Sequence, residues 1–598
     1  MKQITRAFAF ILALLPALSA AQTFPTVPSQ TVIGRTAIGT GPAQAIPFAS
    51  LSAVLCNAFT VSLKGCVPAP GSSTGRYLGD DAGWHALLTQ QLVQGSGVTL
   101  TGTCSGTALN CTVNANSATQ YVFPSRAAAA AADLSALSAI ETLGYATPGD
   151  GGRASFQKVG GGTQFLDSFI STGSMNANGT GSCTNGTYLG QVPNGFTGFQ
   201  AAFNITVAGN IVTSIVNTAP GNGVASGTVL SFTVPGCSGA VQWTVNTVTT
   251  PTGSFTDSAG NKWQILMPAA GLDARAMGAK FDWTVAAGDA GSTDNFTTLQ
   301  NAINFTAYAP GYIDTGASNG GRVLLPRGTA LFCGGGTGPL KVWNGVTVQG
   351  QGATASVIKP CDTYANTTNF IELCDSASHV ACFSAAIRDL QVFTTFTVGQ
   401  GSAVPTTQAV VYTNSCQHQG CGVYNATIYP GACRIGVKAE SGFGGAAMVF
   451  LINEVEIKGG MKDANCAASA PAAVSISLYV STIIRVDGLN VGGLSAASTF
   501  GPRSNGVAVS GGFVMVTNFY AENVIAPAIA NISGATNGFL HIKGFDAGTA
   551  CVNGVLRAGG STANTVKLES AFSNSCTNTY SNAGAGSGGI VQLADVVF

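Results

Sequence analysis

Two glutamates stand two residues apart in "VFLINEVEIK" (residues 449–458). In an extended strand Glu454 and Glu456 leave the same face, with Cα atoms about 6.6–7 Å apart. Two carboxyls separated by about 6.5–9.5 Å can serve as general acid and general base in an inverting glycoside hydrolysis. Asp389 adds a third carboxylate on an earlier strand. Tyr520 offers a ring that can stack on a sugar face, while Asn518, Asn490 and Asp546 can hydrogen-bond hydroxyls. Glu454, Glu456 and Asp389 are therefore the catalytic candidates, and Tyr520, Asn518, Asn490 and Asp546 the substrate-binding candidates. The competing reading of each carboxylate is a solvated strand-face residue, and that of Arg388 beside Asp389 a local surface ion pair.

Other chemistries find no support. "GSSTG" (Gly71–Gly75) matches the nucleophile-elbow spacing but lies in a Ser/Gly-rich loop without strand and helix around it. "GGGTGPLK" (Gly334–Lys341) lacks the Gly-Lys-Ser/Thr ending of a phosphate loop. His85, His379, His418 and His541 fall in no triad or zinc spacing. Asp282, Asp289 and Asp294 match no calcium-loop pattern and are assigned to a turn and a helix cap. "CQHQGC" (Cys416–Cys421) has no second ligand cluster, so a disulfide-closed loop is expected rather than a metal. No metal or cofactor is expected. Net charge is zero and no basic tract stands out, which argues against nucleic acid as a partner.

The candidates sit on a repeated element. The apolar-x-apolar cores Leu390-Gln-Val392, Val455-Glu-Ile457, Leu489-Asn-Val491, Phe519-Tyr-Ala521 and Phe545-Asp-Ala547 begin at steps of 65, 34, 30 and 26 residues, with a weaker last copy at Val566-Lys-Leu568. The first step is about two turns of one drifting repeat, which is a solenoid signature. Each unit is a strand with Gly/Asn/Ser turns and almost no helical pattern, which selects a parallel β-helix over leucine-rich or propeller repeats. Stacked strands lie about 4.8 Å apart, so the residues flanking the inward anchors form one elongated outward ladder.

Before the repeat, "STDNFTTLQNAINF" (Ser292–Phe305) places Phe296, Leu299 and Ile303 on one face of a short helix with Ser292 and Asp294 as N-cap candidates. "SRAAAAAADLSALSAIETLGY" (Ser125–Tyr145) reads as a Ser-capped helix as far as Leu143. In "FNITVAGNIVTSIVN" (Phe203–Asn217) a Gly209-Asn210 turn joins two strands. Residues 1–21 read as a secretory signal: Lys2 and Arg6, the apolar run Ala7–Leu18, then Ser19-Ala20-Ala21. No later stretch is apolar for long enough to span a bilayer. Sixteen cysteines suit an exported chain, with local pairs Cys56/Cys66, Cys104/Cys111, Cys374/Cys382, Cys416/Cys421 and Cys433/Cys466 favoured. The expected layout is a signal peptide (1–21), a Gly/Ser/Thr-rich region (22–120), a small domain (121–270) with a β-rich insertion at about 162–251, a β-helix (271–580) and a tail (581–598).

The order "LDARAMGAKFD…STDNFTTLQNAINF…GGRVLLPRGTALF…VTVQGQGATASVIKP" (Leu272–Pro360) resembles the start of pectate-lyase-like, rhamnogalacturonase/epimerase-type right-handed parallel β-helix proteins. Its Asp-rich turn (Phe281–Asn295) is longer than the family's, and the usual paired Asp reads Asp294-Asn295. The preceding unit, "SRAAAAAADLSALSAIETLGYATPGDGGRASFQKV" with "FTDSAGNKWQIL", is similar to the small domain before the β-helix of phage tailspikes. The resemblance implies an all-β chain, a right-handed parallel β-helix preceded by small α+β and β-rich domains. It further implies a homotrimeric, polysaccharide-directed spike or secreted relative; the signal peptide points to a secreted, periplasmic or extracellular location, with a virion tail as the alternative. Two functions follow: a hydrolase or lyase acting on polysaccharide, or a non-catalytic glycan-binding adhesin or fibre shaft. Arg322 and Arg327 in "GGRVLLPRGTALF" read as rim charges where the β-helix begins.

Overall fold

A computed structural model describes residues 122–160, 165, 167–195, 201–308, 321–333, 338–364, 368–374 and 384–393. Beyond them it describes the strands of the solenoid with a few flanking residues, and before them the backbone of six short strands between residues 31 and 115. Those six form three antiparallel pairs in a unit ending at Ser117. The proposed signal peptide lies outside the described residues.

Two parallel sheets make the second unit a β-helix. One has 14 strands and the other nine, and each strand pairs with its equivalent one coil later. Along the larger sheet the inward anchors stack as Leu390, Ala426, Val455, Leu489, Phe519 and Phe545. Ala426 supplies the coil that the step of 65 residues skips. The last copy falls elsewhere: Val566 pairs with Leu540, and the partner of Phe545 is Ala571. Alternation alone cannot distinguish those two inward positions, because one strand presents both. Along the second sheet Leu340, Ile371, Val411 and Val437 stack in the same way. These residues are at most 1% exposed, so each coil adds a layer of fully desolvated apolar side chains.

The helix Phe296–Tyr308 closes the end of this core with Leu299, Ile303 and Phe305 buried. Asp294 caps it, its Oδ1 accepting from the Phe296 N–H (3.0 Å) and from the Cys333 N–H (2.9 Å). Asn295 is fully buried and clamps the turn: its side chain accepts from Lys280 N–H (2.7 Å) and donates to the Lys280 carbonyl (2.7 Å). Asp282 accepts from the Thr293 N–H and hydroxyl, and Asp289 from Lys359, so these carboxylates serve the turn. Two strands, Arg322–Leu324 and Gly328–Phe332, flank the Pro-Arg-Gly corner, where Gly328 takes φ 118 and Arg322 and Arg327 are exposed.

Next to the helix, a five-stranded sheet combines Val122–Phe123, Ala139–Thr142, Ala154–Val159, Phe255–Thr256 and Lys262–Ile265. The long helix expected from Ser125 is only Arg126–Ala130, with the Ser125 hydroxyl accepting from Ala128 N–H (3.2 Å). Propensity loses to tertiary contacts here. The Asp257 carboxylate accepts the Leu134 N–H at 3.3 Å, Leu134 and Leu137 enter the core, and Ala139–Thr142 pairs as a strand. Arg126 is buried across this junction, donating to the Ala276 carbonyl and lying 4.2 Å from the Tyr145 ring centroid. Burial lowers its pKa to about 10.

Between these strands an inserted segment forms two three-stranded antiparallel sheets with their own core around Phe203, Leu230 and Trp243. Phe203 meets Phe232 and Trp243 edge-on at 4.9 and 5.0 Å. Its hairpin turns at Gly209-Asn210, both in the left-handed region (φ 65 and 64) that such two-residue turns need. Inside the insertion the Cys183–Cys237 disulfide ties the connection before Gly186–Gln191 to the one before Val241–Val248, and Cys333–Cys361 links successive coils of the β-helix. Neither pair was among those expected.

Candidate functional site

A bend within each strand organises the outward surface. Asp389, Asn425, Glu454, Gly488, Asn518, Gly544 and Ser570 all have φ between 42° and 69°. Their flanking residues are in register from coil to coil, so the seven form a single stacked row of left-handed corners. Each corner turns the strand and resets its alternation. Asn and Gly suit such positions because they bear the left-handed conformation at least cost.

The seven sequence-derived candidates fall into two rows. Asp389, Glu454 and Asn518 lie on the corner. Glu456, Asn490, Tyr520 and Asp546 form a second row, paired residue to residue across four successive coils. Glu456, Asn490 and Tyr520 each lie between two buried neighbours, such as Val455 and Ile457 around Glu456, and Asp546 follows the buried Phe545, so these side chains face outward. At about 4.8 Å per coil this row runs about 14 Å from Glu456 to Asp546. The expectation that Glu454 and Glu456 share one flat strand face is corrected. Glu454 takes φ 52 and is itself the corner residue, while Glu456 lies on the extended strand just beyond the bend.

The corner row is tied together by its own hydrogen bonds. Asp389 accepts from Gln349 Nε2 (3.0 Å) and Asn425 Nδ2 (2.8 Å), and pairs with Arg388 at 3.2 Å, the local ion pair anticipated from sequence. Asp487 accepts from Asn518 Nδ2 (2.8 Å) and Thr517 Oγ1 (2.7 Å). Asp389 and Asn518 thus link successive coils. In the outward row Glu456 is ion-paired with Lys458 at 2.8 Å. That contact raises the Lys458 pKa through its hydrogen bond to the carboxylate.

A second polar cluster was missed. On the smaller sheet Lys341, Glu372, Tyr412 and Lys438 pair in one row over four coils. The Tyr412 hydroxyl donates to Glu440 at 3.0 Å, and Glu440 pairs with Lys438 at 2.6 Å. Burial, and then the neighbouring Glu440 carboxylate, push the Tyr412 phenol far above its ordinary value. The signal was available in "VVYTN" and "IGVKAE", where polar residues alternate with apolar ones just as around Glu456.

The cysteines also depart from expectation. Cys416 and Cys421 are both buried thiols with no disulfide between them. Cys374 is disulfide-bonded. Cys416 packs against Cys374, with their Sγ atoms 3.5 Å apart, as well as against Cys421, so closeness in sequence did not make the 416–421 pair a disulfide. The other expected pairs involve side chains outside the described residues.

No family model and no curated protein matches this chain. Solved structures do align with it. A Geobacillus virus E2 protein, ORF18, is 15% identical over 56% of this chain and 67% of its own, with TM-score 0.31. The enzymatically active domain of bacteriophage CBA120 tailspike protein 2 is 12% identical over 62% of this chain and 54% of its own, with TM-score 0.31. The catalytic unit of a GH87 α-1,3-glucanase from Streptomyces thermodiastaticus is 13% identical over 75% and 88%, with TM-score 0.25. The chain therefore spans about half to two thirds of the two phage proteins. At such scores these likenesses carry no functional argument. The β-helix itself stands on the strand register.

Proposed function

We propose that this protein is a glycan-directed β-helix that binds an extended surface or extracellular polysaccharide along the Glu456–Asn490–Tyr520–Asp546 row and cleaves it. The supporting observation is that row: a carboxylate, an amide, a phenol and a second carboxylate face outward in register on consecutive coils. Its length of about 14 Å suits a chain of several sugars. Tyr520 supplies the stacking surface, and Asn490 and Asp546 the hydroxyl contacts. Glu454 at the corner and Glu456 just beyond it are assigned the acid and base roles, with Asp389 in support.

A non-catalytic adhesin or fibre shaft is the second reading. The Glu456–Lys458 ion pair and the hydrogen bonds already made by Asp389 favour it, because a carboxylate engaged in this way is a poorer proton carrier. In either reading the protein acts outside the cytoplasm, exported by its leader or carried on a virion tail. Among the described residues no helix is long and apolar enough to cross a membrane. Assembly as a homotrimer is part of the proposal. It is supported by an outward apolar row in which Ile483 and Phe513 are 43% and 47% exposed and Phe539 packs 5.6 Å from Phe513.

The test is incubation with capsular, lipopolysaccharide O-chain and pectic glycans, following reducing ends and absorbance near 235 nm, an unsaturated-product signal. Reducing ends alone indicate hydrolysis, and both signals together indicate elimination. Binding without either signal selects the adhesin. If cleavage occurs and a Glu454→Gln/Glu456→Gln variant keeps full activity, the catalytic assignment is wrong.

A further inference from the structure

Between Asp167 and Asp257 the chain contains no Asp, Glu, Lys, Arg or His, although it carries 25 acidic and 25 Lys or Arg residues in all. The two bounding carboxylates are buried and turned inward. Asp167 accepts the Gly253 and Ser254 N–H groups at 2.7 and 2.8 Å, and Asp257 accepts the Trp263 indole N–H at 3.0 Å. The inserted segment between them is nonetheless folded, as two sheets around the Phe203, Leu230 and Trp243 core. Every side chain that it presents to solvent is therefore neutral.

One of these sheets carries an ordered polar face. Its strands are Ile170–Asn178, Val241–Val248 and Val229–Phe232, with Val241–Val248 in the middle. Trp243 and Val245 enter the core, so Gln242, Thr244 and Asn246 stand on the outer face. In register beside Thr244 lie Ser174 on one side and Val229 on the other, and Ser231 lies beside Gln242. Cross-strand bonds hold the longer side chains. Asn176 Nδ2 donates to Gln242 Oε1 (3.4 Å), Gln242 Nε2 to Ser231 Oγ (3.4 Å) and Ser174 Oγ to Asn246 Oδ1 (3.3 Å). Among the described residues, the Asn246 amide N–H groups and the Thr244 hydroxyl have no side-chain partner. Ser174 and Asn246 are exposed, and Val229 is 41% exposed. From Gln242 to Asn246 the face is about 13 Å long, and three strands make it about 10 Å wide.

We propose that this face of the insertion binds a neutral polysaccharide, as a site separate from the outward row of the β-helix. A sugar hydroxyl both donates and accepts hydrogen bonds, and so do carboxamide and hydroxyl side chains. Such a ligand replaces bound water in kind, without the cost of desolvating an ion. Because neighbouring strands already hold Gln242 and Asn246, these amides lose little rotamer freedom on binding. Val229 offers an aliphatic patch to the C–H face of a ring. A glycan bearing carboxylates finds no countercharge here. The face also presents no Trp, Tyr or Arg, the residues that anchor most protein interfaces. The site acts by binding alone, so it holds whether or not the β-helix cleaves its glycan.

Calorimetric titration of the full-length protein tests this, with dextran, galactomannan and xyloglucan as neutral probes and polygalacturonate as the acidic one. At least one neutral polysaccharide should bind. Its affinity should change less than about twofold between low and high salt, because screening acts on charges and not on neutral hydrogen bonds. Tyr520→Ala, which acts on the β-helix row, should leave this binding in place. Gln242→Ala/Asn246→Ala should weaken it about tenfold, the effect of one or two lost hydrogen bonds. Thr244→Lys, which puts bulk and charge in the middle of the face, should weaken it at least as much and is an independent second variant. Three results overturn the proposal: no neutral polysaccharide binds; binding is confined to polygalacturonate or falls steeply with salt; or binding is lost in Tyr520→Ala and kept in both insertion variants, which assigns it to the β-helix row. Self-association in sedimentation velocity that Thr244→Lys abolishes makes a second copy the occupant, and also overturns it. The wild-type titrations and the salt series decide the matter even if a variant fails to fold.

Discussion

Replacing Lys359 with methionine tests how the Asp-rich turn is fastened to the β-helix. The Lys359 side chain is fully buried, and its Nζ lies 2.8 Å from Asp289 Oδ1 and 3.2 Å from Asp362 Oδ1. It also sits 5.0 Å from the centroid of the Trp283 ring. Methionine keeps most of the aliphatic stem and removes the ammonium. Losing one partner of a buried pair costs about 3–5 kcal/mol. The Asp289 and Asp362 side chains are 25% and 44% exposed, so water recovers part of that loss. Trp283 Nε1 and the Asp362 N–H still donate to Asp289. The expected cost is therefore about 2–3 kcal/mol, below the full buried-pair range. Asp289→Ala should cost more, because it leaves the buried ammonium with only one carboxylate. Urea unfolding followed by circular dichroism reads both, and the double variant should lose less than the sum of the singles.

A pH arm sharpens this test. Burial pushes the Asp289 carboxyl up, but the hydrogen bonds from Lys359, the Asp362 N–H and Trp283 more than offset it, so the folded pKa is depressed. A depressed pKa contributes stability above the unfolded value of about 3.9, and that stability is lost as pH falls through the folded value. The gap between wild type and Lys359→Met should thus be widest at neutral pH and close in acid. A Lys359→Met protein within about 0.5 kcal/mol of wild type at neutral pH would refute the reasoning.

Other predictions are open to direct measurement. Gly544→Ala should destabilise the β-helix by about 1–2 kcal/mol in urea, because φ is 69 and the new Cβ would meet Asn518 Oδ1 at 3.2 Å. Cys183→Ser/Cys237→Ser should loosen the inserted domain, since a bridge spanning 54 residues is worth about 4 kcal/mol on the chain-entropy model; hydrogen exchange on Ala201–Ala208 would show it. Tyr520→Ala should weaken glycan binding by about 0.5–1.5 kcal/mol in calorimetry while leaving the fold unchanged. Asp150 and Asp257 feel burial first, but accept enough hydrogen bonds to hold their carboxyls below the ordinary range. Replacing either with Ala should reduce stability at neutral pH and lose that effect as pH falls below about 4.

By itself the sequence determined the architecture of the repeat. Leu390, Val455, Leu489, Phe519 and Phe545 were recognisable as stacked anchors, because a solenoid repeats one local pattern and inward positions must be apolar. The row Glu456, Asn490, Tyr520 and Asp546 followed from the same alternation. The cap at Asp294 and the Gly209-Asn210 hairpin were equally local and equally legible. What involved distant partners was decided only by tertiary structure. The left-handed corner at Glu454 is invisible to an alternation rule, since nothing in "INEVEIK" marks a bend until Asn425 and Gly488 are seen stacked beside it. The helix after Ser125 gave way because the Asp257 carboxylate, far along the chain, claims the Leu134 N–H. Cys416 meets Cys374 as well as Cys421 and forms no disulfide with Cys421, because the winding of the coils, and not spacing along the chain alone, sets which sulfurs meet.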